Sequence, residues 1–385
     1  MTTHSFACGL FCFVLAVATV GCSSTAPPLA SGASPVTRPQ CAPLSRPDVD
    51  TVDGWLGYIA AHRSDVALSV DNGMDTRGLG TRVVLRSDEQ QPLASAAKVV
   101  HLAAYGRAVA QRLVRADDLV RVGDWERWYL PGSDGGAHPR ALNRAGVAND
   151  GIRAVDPQRT VTLDTIVSSM IQESDNAAAD FLRDRLGDQA LIRAAAEGGW
   201  TGAELPSFLG EMLALVAPEL APAPGAQTRA QRAAAELDLA RRFATDPVLR
   251  MQLSHRPPPT TIEAQLRWAD GTATGSANQL AALLRAIATG TFGAGSDVAR
   301  RHLEWQPVAL PSVVAVGFKG GSLPGVLTEA FTLRRADGST ATGILLVRRM
   351  PIADWLAALT SVAFQQAVLA AMTDPGSADR LSCSV

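Results

Sequence analysis

The chain has 385 residues, of which 47% are hydrophobic and 19% are charged, and this composition excludes a disordered, collagenous or coiled-coil protein. Its 35 Lys and Arg residues nearly balance its 37 Asp and Glu residues, so the net charge is only −2. No basic block is present that would follow a phosphate backbone, and we therefore expect no nucleic-acid partner.

The N-terminal segment predicts export. From Phe6 to Gly21 the chain is uncharged and apolar but short for a bilayer span, as in a secretory signal. The run ends in TVGC, which resembles the lipobox of bacterial lipoproteins and makes Cys22 the expected lipidation site. A plain signal peptide is the alternative, because Thr19 stands where the lipobox usually has Leu. We predict a signal over 1–21, a flexible lipid-anchored linker over 22–44, and a protein held at the outer face of the cell membrane or in the cell envelope.

The cysteines of an exported chain predict one disulfide. Cys8 and Cys12 leave with the signal and Cys22 takes the lipid, so Cys41 and Cys383 remain as an even pair outside the cytosol. Neither cysteine has the spacing of a zinc site, and the six histidines are scattered without an HExxH motif. We therefore expect no metal and no cofactor.

The first predicted elements are a helix at Thr51–His62 and two strands at Val66–Val70 and Thr81–Leu85. From about 95 to 300 the pattern becomes rich in Ala and Leu with a helical period, which predicts an all-helical insert. Its predicted helices are Ser95–Leu113, Leu163–Gln172, Ala177–Leu186, Thr228–Phe243 and Asn278–Thr289.

Three more strands and a helix are predicted near the C-terminus. The predicted strands are Val313–Lys319, Val326–Arg334 and Ala341–Arg348. Asp337-Gly338 lies between the last two and is typical of a hairpin turn. After Pro351 apolar residues recur at steps of three and four, which predicts one long helix that packs on a sheet. The two ends of the chain therefore form one α+β layer, in a domain over 45–376 followed by a tail over 377–385.

Three short polar motifs are candidates for chemistry. Ser95 and Lys98 open a helix three positions apart, so the hydroxyl and the amine can meet within about 3 Å. Alone the pair is weak, because Ser commonly caps helices and Lys is ordinary in their first turns. Ser174-Asp175-Asn176 and Lys319-Gly320-Gly321-Ser322 are equally weak when each is taken singly.

In this order the three motifs resemble the SxxK, SDN and KTG signature of class A β-lactamases and penicillin-binding proteins. The segments IQESDNAAADFL and FKGGSLPGVLTEA are also similar to exported β-lactamase-like serine hydrolases. The resemblance covers about residues 45–372. It implies an antiparallel five-stranded sheet flanked by N- and C-terminal helices, with the helical insert between them. In that fold the first and last helices pack side by side, which would bring Cys41 and Cys383 together.

The resemblance also implies catalytic roles. Ser95 is the expected nucleophile, which attacks an amide or β-lactam carbonyl, and Lys98 helps to remove its proton. Ser174 is expected to pass a proton to the leaving nitrogen. The backbone N–H groups of Ser95 and Ser322 are the expected oxyanion hole.

Substrate-binding roles follow from the same resemblance. Asn176 is expected to hold the side-chain amide of the substrate, and Lys319 is expected to attract its carboxylate. Gly321 and Ser322 are expected to line the same edge of the cleft, while Asp175 points inward.

Two positions depart from the family pattern. Gly320 stands where the family usually has Thr or Ser, so a hydroxyl that helps to bind the substrate carboxylate is missing. The ExxLN motif that supplies the deacylating Glu of class A enzymes is also absent, and Glu204, Glu211 and Glu219 lie in the relevant interval. Glu211 is the best positional candidate. Without an activated water the acyl-enzyme would persist.

One loop between the first two motifs is unusually aromatic. Trp125, Trp128 and Tyr129 either wall the substrate cleft or cover the core beneath the loop, and the sequence leaves both interpretations open. Asp134 and His138 in the same loop are interpreted as solvated polar residues rather than as a base or a ligand.

Three functions are compatible with these residues. The first is an extracytoplasmic serine hydrolase that forms an acyl-enzyme at Ser95 and hydrolyses β-lactam amides. The second is a penicillin-binding D,D-peptidase acting on cell-wall peptides, and the third is a catalytically degenerate binding lipoprotein. The expected partners are a small β-lactam or a cell-wall peptide, with the membrane contacted through the lipid on Cys22, and the expected state is a monomer.

Overall fold

The computed structural model describes residues 41–73, 80–221, 228–257 and 261–385. The predicted signal peptide, the lipidated Cys22 and nearly all of the predicted linker lie outside the described residues.

Strands near both ends of the chain build a central antiparallel sheet. The strands of the described residues are β1 (Val66–Asp71), β2 (Arg82–Leu85), β3 (Gln91–Pro92), β4 (Leu119–Arg121), β5 (Thr160–Thr162), β6 (Thr274–Gly275), β7 (Val313–Phe318), β8 (Gly321–Leu323), β9 (Val326–Arg335) and β10 (Thr340–Val347). The sheet order is β2-β1-β10-β9-β7, and β8 pairs with β9 beyond the end of β7. The predicted five-stranded arrangement is confirmed, with β7 and β8 sharing the edge position.

Helices cover both faces of this sheet. In chain order they are α1 (Val52–Ala61), α2 (Lys98–Ala110), α3 (Val122–Glu126), α4 (Ala137–Arg144), α5 (Leu163–Gln172), α6 (Asn176–Leu186), α7 (Asp188–Glu197), α8 (Phe208–Val216), α9 (Arg229–Thr245), α10 (Pro247–Leu253), α11 (Ile262–Asp270), α12 (Ala277–Thr289), α13 (Ser296–Leu303), α14 (Ile352–Ala358), α15 (Ala363–Thr373) and α16 (Pro375–Ser382). The insert is mainly helical, but the prediction that it is all-helical is wrong, because it also carries the two-stranded pair of β4 with β5.

Two apolar cores lie on opposite sides of the sheet. On one side α1, α15 and α16 pack together over β1, β9 and β10, with Trp55, Phe331 and Phe364 in the buried cluster. On the other side α12 covers β9 and β10, and α2 runs through the middle of the insert. Ten of the thirteen α2 residues are buried, so the helix that starts at Lys98 is held on all sides. A helix buried in this way gives its first turn a fixed position.

Local sequence signals set the ends of these elements. Ser276 and Gln279 form a capping box at the start of α12, because each side chain accepts a hydrogen bond from the other residue's backbone N–H. The helix ends at Gly290, whose φ of 81° lies in the left-handed region that favours glycine. The β9–β10 hairpin turns at Asp337-Gly338 as predicted, with Gly338 at φ 86°.

The predicted disulfide is confirmed. Cys41 and Cys383 are bonded, with Cα atoms 5.7 Å apart and a sequence separation of 342. In the chain-entropy description a loop of this length stabilises the folded state by about 6 kcal/mol. Residues 377–385, predicted as a tail, lie mostly in α16, which packs on α15 and brings Cys383 back to the start of the domain.

The prediction of one long helix after Pro351 is wrong. The apolar pattern is continuous, but the chain forms α14 and α15 with a bend of 66° between them. The break contains Thr360 and Ser361, and the Ser361 hydroxyl accepts a hydrogen bond from the N–H of Ala363. Side chains of this type compete with helical hydrogen bonds, so they end one helix and start the next. Within the described residues this bent pair has the length and apolar composition of a membrane span, and no single helix does.

Candidate active site

The candidate nucleophile lies in a strained turn. Ser95 belongs to a short 3₁₀ helix, Ala94–Ala97, that leads directly into α2. Ala94 has a φ of 47°, a left-handed conformation that costs a residue with a side chain about 1–3 kcal/mol. The buried α2 holds the turn in place, so the Ser95 hydroxyl is presented at the helix start in one fixed direction.

Lys98 contacts the nucleophile and is removed from solvent. Its Nζ atom lies 2.6 Å from Oγ of Ser95 and 2.6 Å from Oδ1 of Asn176. The Phe208 ring covers the amine, with its centroid 4.0 Å from Nζ. Burial, followed by the nearby Lys319 ammonium, lowers the pKa of Lys98 well below its usual value. A neutral Lys98 amine can accept the Ser95 proton on its lone pair while one N–H donates to Asn176.

The second and third motifs meet through one hydrogen bond. Nζ of Lys319 donates to Oγ of Ser174 at 2.9 Å and to the carbonyl of Gly320 at 2.7 Å. Ser174 has a φ of 65°, so it lies in the left-handed region at the turn between α5 and α6. Burial lowers the pKa of Lys319 to about 8, and the Glu329 carboxylate opposes this shift. The structure thus forms two contact groups: Ser95, Lys98 and Asn176 belong to the first, and Ser174 and Lys319 belong to the second.

Strand β8 packs directly against the nucleophile turn. A Cβ atom on Gly321 would lie 2.6 Å from the backbone nitrogen of Ser95 and 2.8 Å from the carbonyl of Leu93. Only glycine allows this approach, and it sets β8 beside the Ser95 amide, as an oxyanion hole between Ser95 and Ser322 requires. The Ser322 hydroxyl accepts a hydrogen bond from Nε1 of Trp355 at 3.0 Å, so it is engaged outside the cleft.

A buried histidine holds the middle residue of the second motif. Nδ1 of His138 lies 3.1 Å from Oδ2 of Asp175, and Nε2 lies 3.3 Å from Oε1 of Glu126. Oδ1 of Asp175 accepts from the N–H of Ala177 and so caps α6. The interpretation of His138 as a solvated loop residue is wrong, since its side chain is fully buried.

Asp134 is also structural. Its carboxylate accepts hydrogen bonds from the backbone N–H groups of Gly136, Ala137 and His138, which fixes the start of α4. The interpretation of Asp134 as solvated is therefore wrong as well: it is only partly exposed and holds the helix that carries His138.

The aromatic loop residues belong to the core. Trp125, Trp128 and Tyr129 are at most 6% exposed and lie in the apolar cluster of the insert. The Tyr129 ring stacks on His138 with centroids 4.2 Å apart, and Trp125 meets the same imidazole edge-on. Of the two open interpretations, the structure supports the one in which these residues cover the core.

The His138 contacts predict a pH-dependent stability. Burial alone lowers the pKa of His138, but Asp175 and then Glu126 raise it from 6.5 to about 9. The folded state therefore favours the imidazolium, and its contribution of about 3 kcal/mol is fully present below pH 6.5 and is lost as pH rises through 9. We expect His138→Gln to remove this part of the pH dependence of the free energy of unfolding, measured by urea denaturation.

An exposed histidine provides the control for this measurement. The free energy of unfolding of His255→Gln should equal that of the parent at every pH, because His255 lies on the surface. Parallel stability curves for the parent and His138→Gln would show that the imidazolium contributes nothing.

Glu211 lies in α8, and its carboxyl group contacts residues outside the two contact groups of the candidate site. Its Oε1 accepts from the N–H of Ala273 at 2.8 Å and lies 3.5 Å from the Arg229 guanidinium. Burial and then the carboxylate of Glu236 raise the pKa of Glu211 to about 8. Within the described residues Glu211 makes no hydrogen bond to the candidate site, so its deacylating role stays a prediction.

Two neighbours of the site were not predicted from the sequence. Phe208 covers Lys98 from a distance of 110 positions along the chain, and a single aromatic in an apolar helix gives no signal of this contact. Glu329 lies beside Gly320 on the adjacent strand. Glu329 could have been noticed, because a Glu in the middle of a strand with no other acidic residue is unusual.

A model of the beta-lactamase enzyme family matches residues 71–347. The chain belongs to the beta-lactamase enzyme family. Among solved structures, a beta-lactamase from Sphaerobacter thermophilus matches with a TM-score of 0.50 and 16% identity, covering 83% of this chain and 96% of that one. A mutant class A beta-lactamase of the last common ancestor of Gram-negative bacteria matches with a TM-score of 0.50 and 19% identity, covering 84% and 100%. These likenesses show that this family member has the β-lactamase fold. No curated protein sequence matches it.

Proposed function

We propose that this protein is an exported serine hydrolase that forms an acyl-enzyme at Ser95 with β-lactams and hydrolyses it. The observation that carries the proposal is the 2.6 Å contact between Oγ of Ser95 and the buried Nζ of Lys98. A lysine whose pKa is lowered in this way can act as a general base, and it already touches the hydroxyl that it would activate.

The first half of the reaction uses the two contact groups in turn. Lys98 takes the proton of Ser95 as Oγ attacks the β-lactam carbonyl, and the backbone N–H groups of Ser95 and Ser322 stabilise the oxyanion. The C–N bond of the ring then breaks, and the nitrogen takes a proton from the Ser174 hydroxyl. The ammonium of Lys98, which holds the proton from Ser95, restores the proton of Ser174. Every atom of the β-lactam stays in the adduct.

Substrate binding is assigned to groups at the edges of the cleft. Asn176 presents its amide beside Lys98, which suits hydrogen bonding to an amide side chain of the substrate. In the described residues two of the three N–H donors of a charged Lys319 are used, by Ser174 and Gly320. The third is available for a substrate carboxylate.

Slow release of the acyl group favours a second candidate, a penicillin-binding D,D-peptidase. Glu211 is the proposed base for deacylation, but its carboxyl is held by Ala273 and has a pKa of about 8. At neutral pH most Glu211 side chains are protonated and cannot activate a water. The apolar ring of Phe208, rather than a carboxylate, covers Lys98. Both observations favour a long-lived acyl-enzyme at neutral pH.

A degenerate binding lipoprotein is the third possibility. The missing hydroxyl at Gly320 supports it, but the intact contacts of Ser95 with Lys98 and of Ser174 with Lys319 favour an active enzyme.

Export and lipid anchoring are part of the proposal. The disulfide between Cys41 and Cys383 suits an oxidising compartment outside the cytosol. The sequence of residues 1–22 supplies the signal and the proposed lipidated cysteine. Detection of a diacylglyceryl group on Cys22 by mass spectrometry of the purified membrane form tests this part; a soluble product cleaved elsewhere would contradict it.

Pulse labelling with a fluorescent penicillin separates the three candidates. Protein is labelled, chased with unlabelled penicillin, and followed over time by denaturing electrophoresis. We expect label that is lost slowly at about pH 7 and faster at about pH 9, because Glu211 becomes a competent base as it ionises. Rapid loss at both pH values supports an efficient β-lactamase, and a lasting label at both supports a D,D-peptidase. No label at all supports the binding lipoprotein.

Glu211→Gln is the matched variant for the chase. It should be labelled as fast as the parent, and its loss of label should no longer accelerate between about pH 7 and about pH 9. Equal rates of loss in the parent and the variant would rule out Glu211 as the deacylating base.

A further inference from the structure

The space beside Gly320 is filled by a carboxyl group. A Cβ atom on Gly320 would lie 3.1 and 3.2 Å from the two carboxyl oxygens of Glu329, and 3.0 Å from the ring of Phe318. At these distances a Cβ atom fits only if Phe318 and Glu329 shift by a few tenths of an ångström. The carboxyl group of Glu329 therefore lies beside the position from which a Thr or Ser side chain would extend.

Glu329 is buried and incompletely hydrogen-bonded. The residue is 4% exposed, and its Oε1 lies 3.5 Å from Nε2 of Gln365. Its Oε2 has no hydrogen-bond partner among the residues that the structure describes. A buried carboxylate oxygen without a donor is unfavourable, so this environment favours the protonated carboxyl group or a hydrogen bond from a bound ligand.

The same carboxyl group faces the residue expected to bind the substrate carboxylate. Gly320 follows Lys319 directly, and the Glu329 charge partly opposes the lowering of the Lys319 pKa by burial. A subsite with Lys319 alone is positive. When Glu329 is ionised, its carboxylate adds a negative charge to the subsite. This charge lies close to the position of the substrate carboxylate and repels it.

We propose that Glu329 is the specificity-determining residue of this subsite, because its carboxyl group replaces the missing hydroxyl as a donor when protonated and repels a substrate carboxylate when ionised. The inference rests on the proposed acylation of Ser95 by β-lactams. It assigns the enzyme a preference that changes with pH, from substrates with a free carboxylate to substrates with an uncharged ester or amide at that position.

The titration of Glu329 and Lys319 supports this change of substrate preference with pH. Burial raises the pKa of Glu329 to about 8, and burial lowers that of Lys319 to about 8. Near pH 6 the subsite therefore holds a neutral carboxyl and a charged ammonium, both of which suit an anionic substrate. Near pH 9 it holds a carboxylate and a neutral amine, neither of which does.

The test compares benzylpenicillin, which carries the carboxylate, with its methyl ester, which does not. The second-order rate constant of acylation is measured for both compounds on the parent and on Glu329→Gln, at about pH 6 and about pH 9. For each protein the rate constant for benzylpenicillin is divided by the rate constant for the ester. We expect this penicillin-to-ester ratio to agree within about threefold between the two proteins at the lower pH. At the higher pH the ratio should be at least about tenfold larger in Glu329→Gln, since the variant lacks the repelling charge.

A second variant and a control complete the design. Glu329→Ala combined with Gly320→Thr vacates the space and supplies a hydroxyl, so its ratio at about pH 9 should also exceed that of the parent. Glu263→Gln makes the same chemical change in α11 and should leave the ratio unaltered. If both site variants are still acylated but keep the parent's penicillin-to-ester ratio at about pH 9, this inference is overturned and the proposed function stands. Absence of any adduct with either compound overturns the proposed function and the inference with it.

Discussion

Lys98→Met is expected to slow acylation of Ser95 by about a thousandfold or more, within the range that a positioned general base contributes. The reason is that Nζ of Lys98 is the group that contacts the Ser95 hydroxyl, at 2.6 Å. Methionine keeps most of the side-chain volume in a fully buried position beside Phe208, so the fold should survive. The measurement is the time course of fluorescent-penicillin labelling, with circular dichroism to check folding.

Lys98→Arg separates base catalysis from simple positive charge. The guanidinium keeps a cation near Ser95 but does not lose a proton at accessible pH. We therefore expect this variant to be acylated as slowly as Lys98→Met. Near-parent labelling of Lys98→Arg would contradict the role of Lys98 as the base.

Lys319→Met is expected to lower the rate of Ser95 acylation by about a hundredfold, near the low end of what one catalytic group contributes. The same variant should shift the pH of half-maximal acylation to a higher value. Lys319 donates to Ser174 and is the charge that, after burial, most lowers the pKa of Lys98. Without that charge Lys98 holds its proton to higher pH, so the pH of half-maximal acylation should rise. The readout is the rate of labelling between about pH 5 and about pH 9.

The charge-preserving variant tests the electrostatic part of this prediction. Lys319→Arg keeps the cation and should leave the pH of half-maximal acylation near that of the parent, even if its rate falls. A pH profile of Lys319→Met that does not move, or that moves to lower pH, would show that Lys319 does not control the protonation of Lys98.

Most of the scaffold could be predicted because its signals are local. The strands at both ends of the chain have the apolar composition of a buried sheet, and β1 and β9 begin where expected. The turn at Asp337-Gly338 is likewise set by its own two residues, which favour a tight hairpin turn. The order of the three motifs supplied the remaining constraint, since the start of α2, the turn between α5 and α6 and the edge strands must meet for the motifs to act together.

The parts that could not be predicted depend on contacts between distant segments. His138 reaches Asp175 across 37 positions, and nothing in its own loop distinguishes a buried imidazole from a solvated one. At Gly320 the sequence indicates only the loss of a hydroxyl, because the neighbouring carboxyl group comes from Glu329, on a different strand. The break between α14 and α15 was missed because the apolar period continues through it.

Intact-mass spectrometry after incubation with benzylpenicillin tests the central claim most directly. Ring opening loses no atom, so the parent should gain the full mass of one penicillin, and peptide mapping should place it on Ser95. The Ser95→Ala variant, which keeps Lys98, Ser174 and Lys319, should gain nothing. An adduct of equal yield on Ser95→Ala, or no adduct on a folded parent protein, would contradict the assignment of Ser95 as the nucleophile.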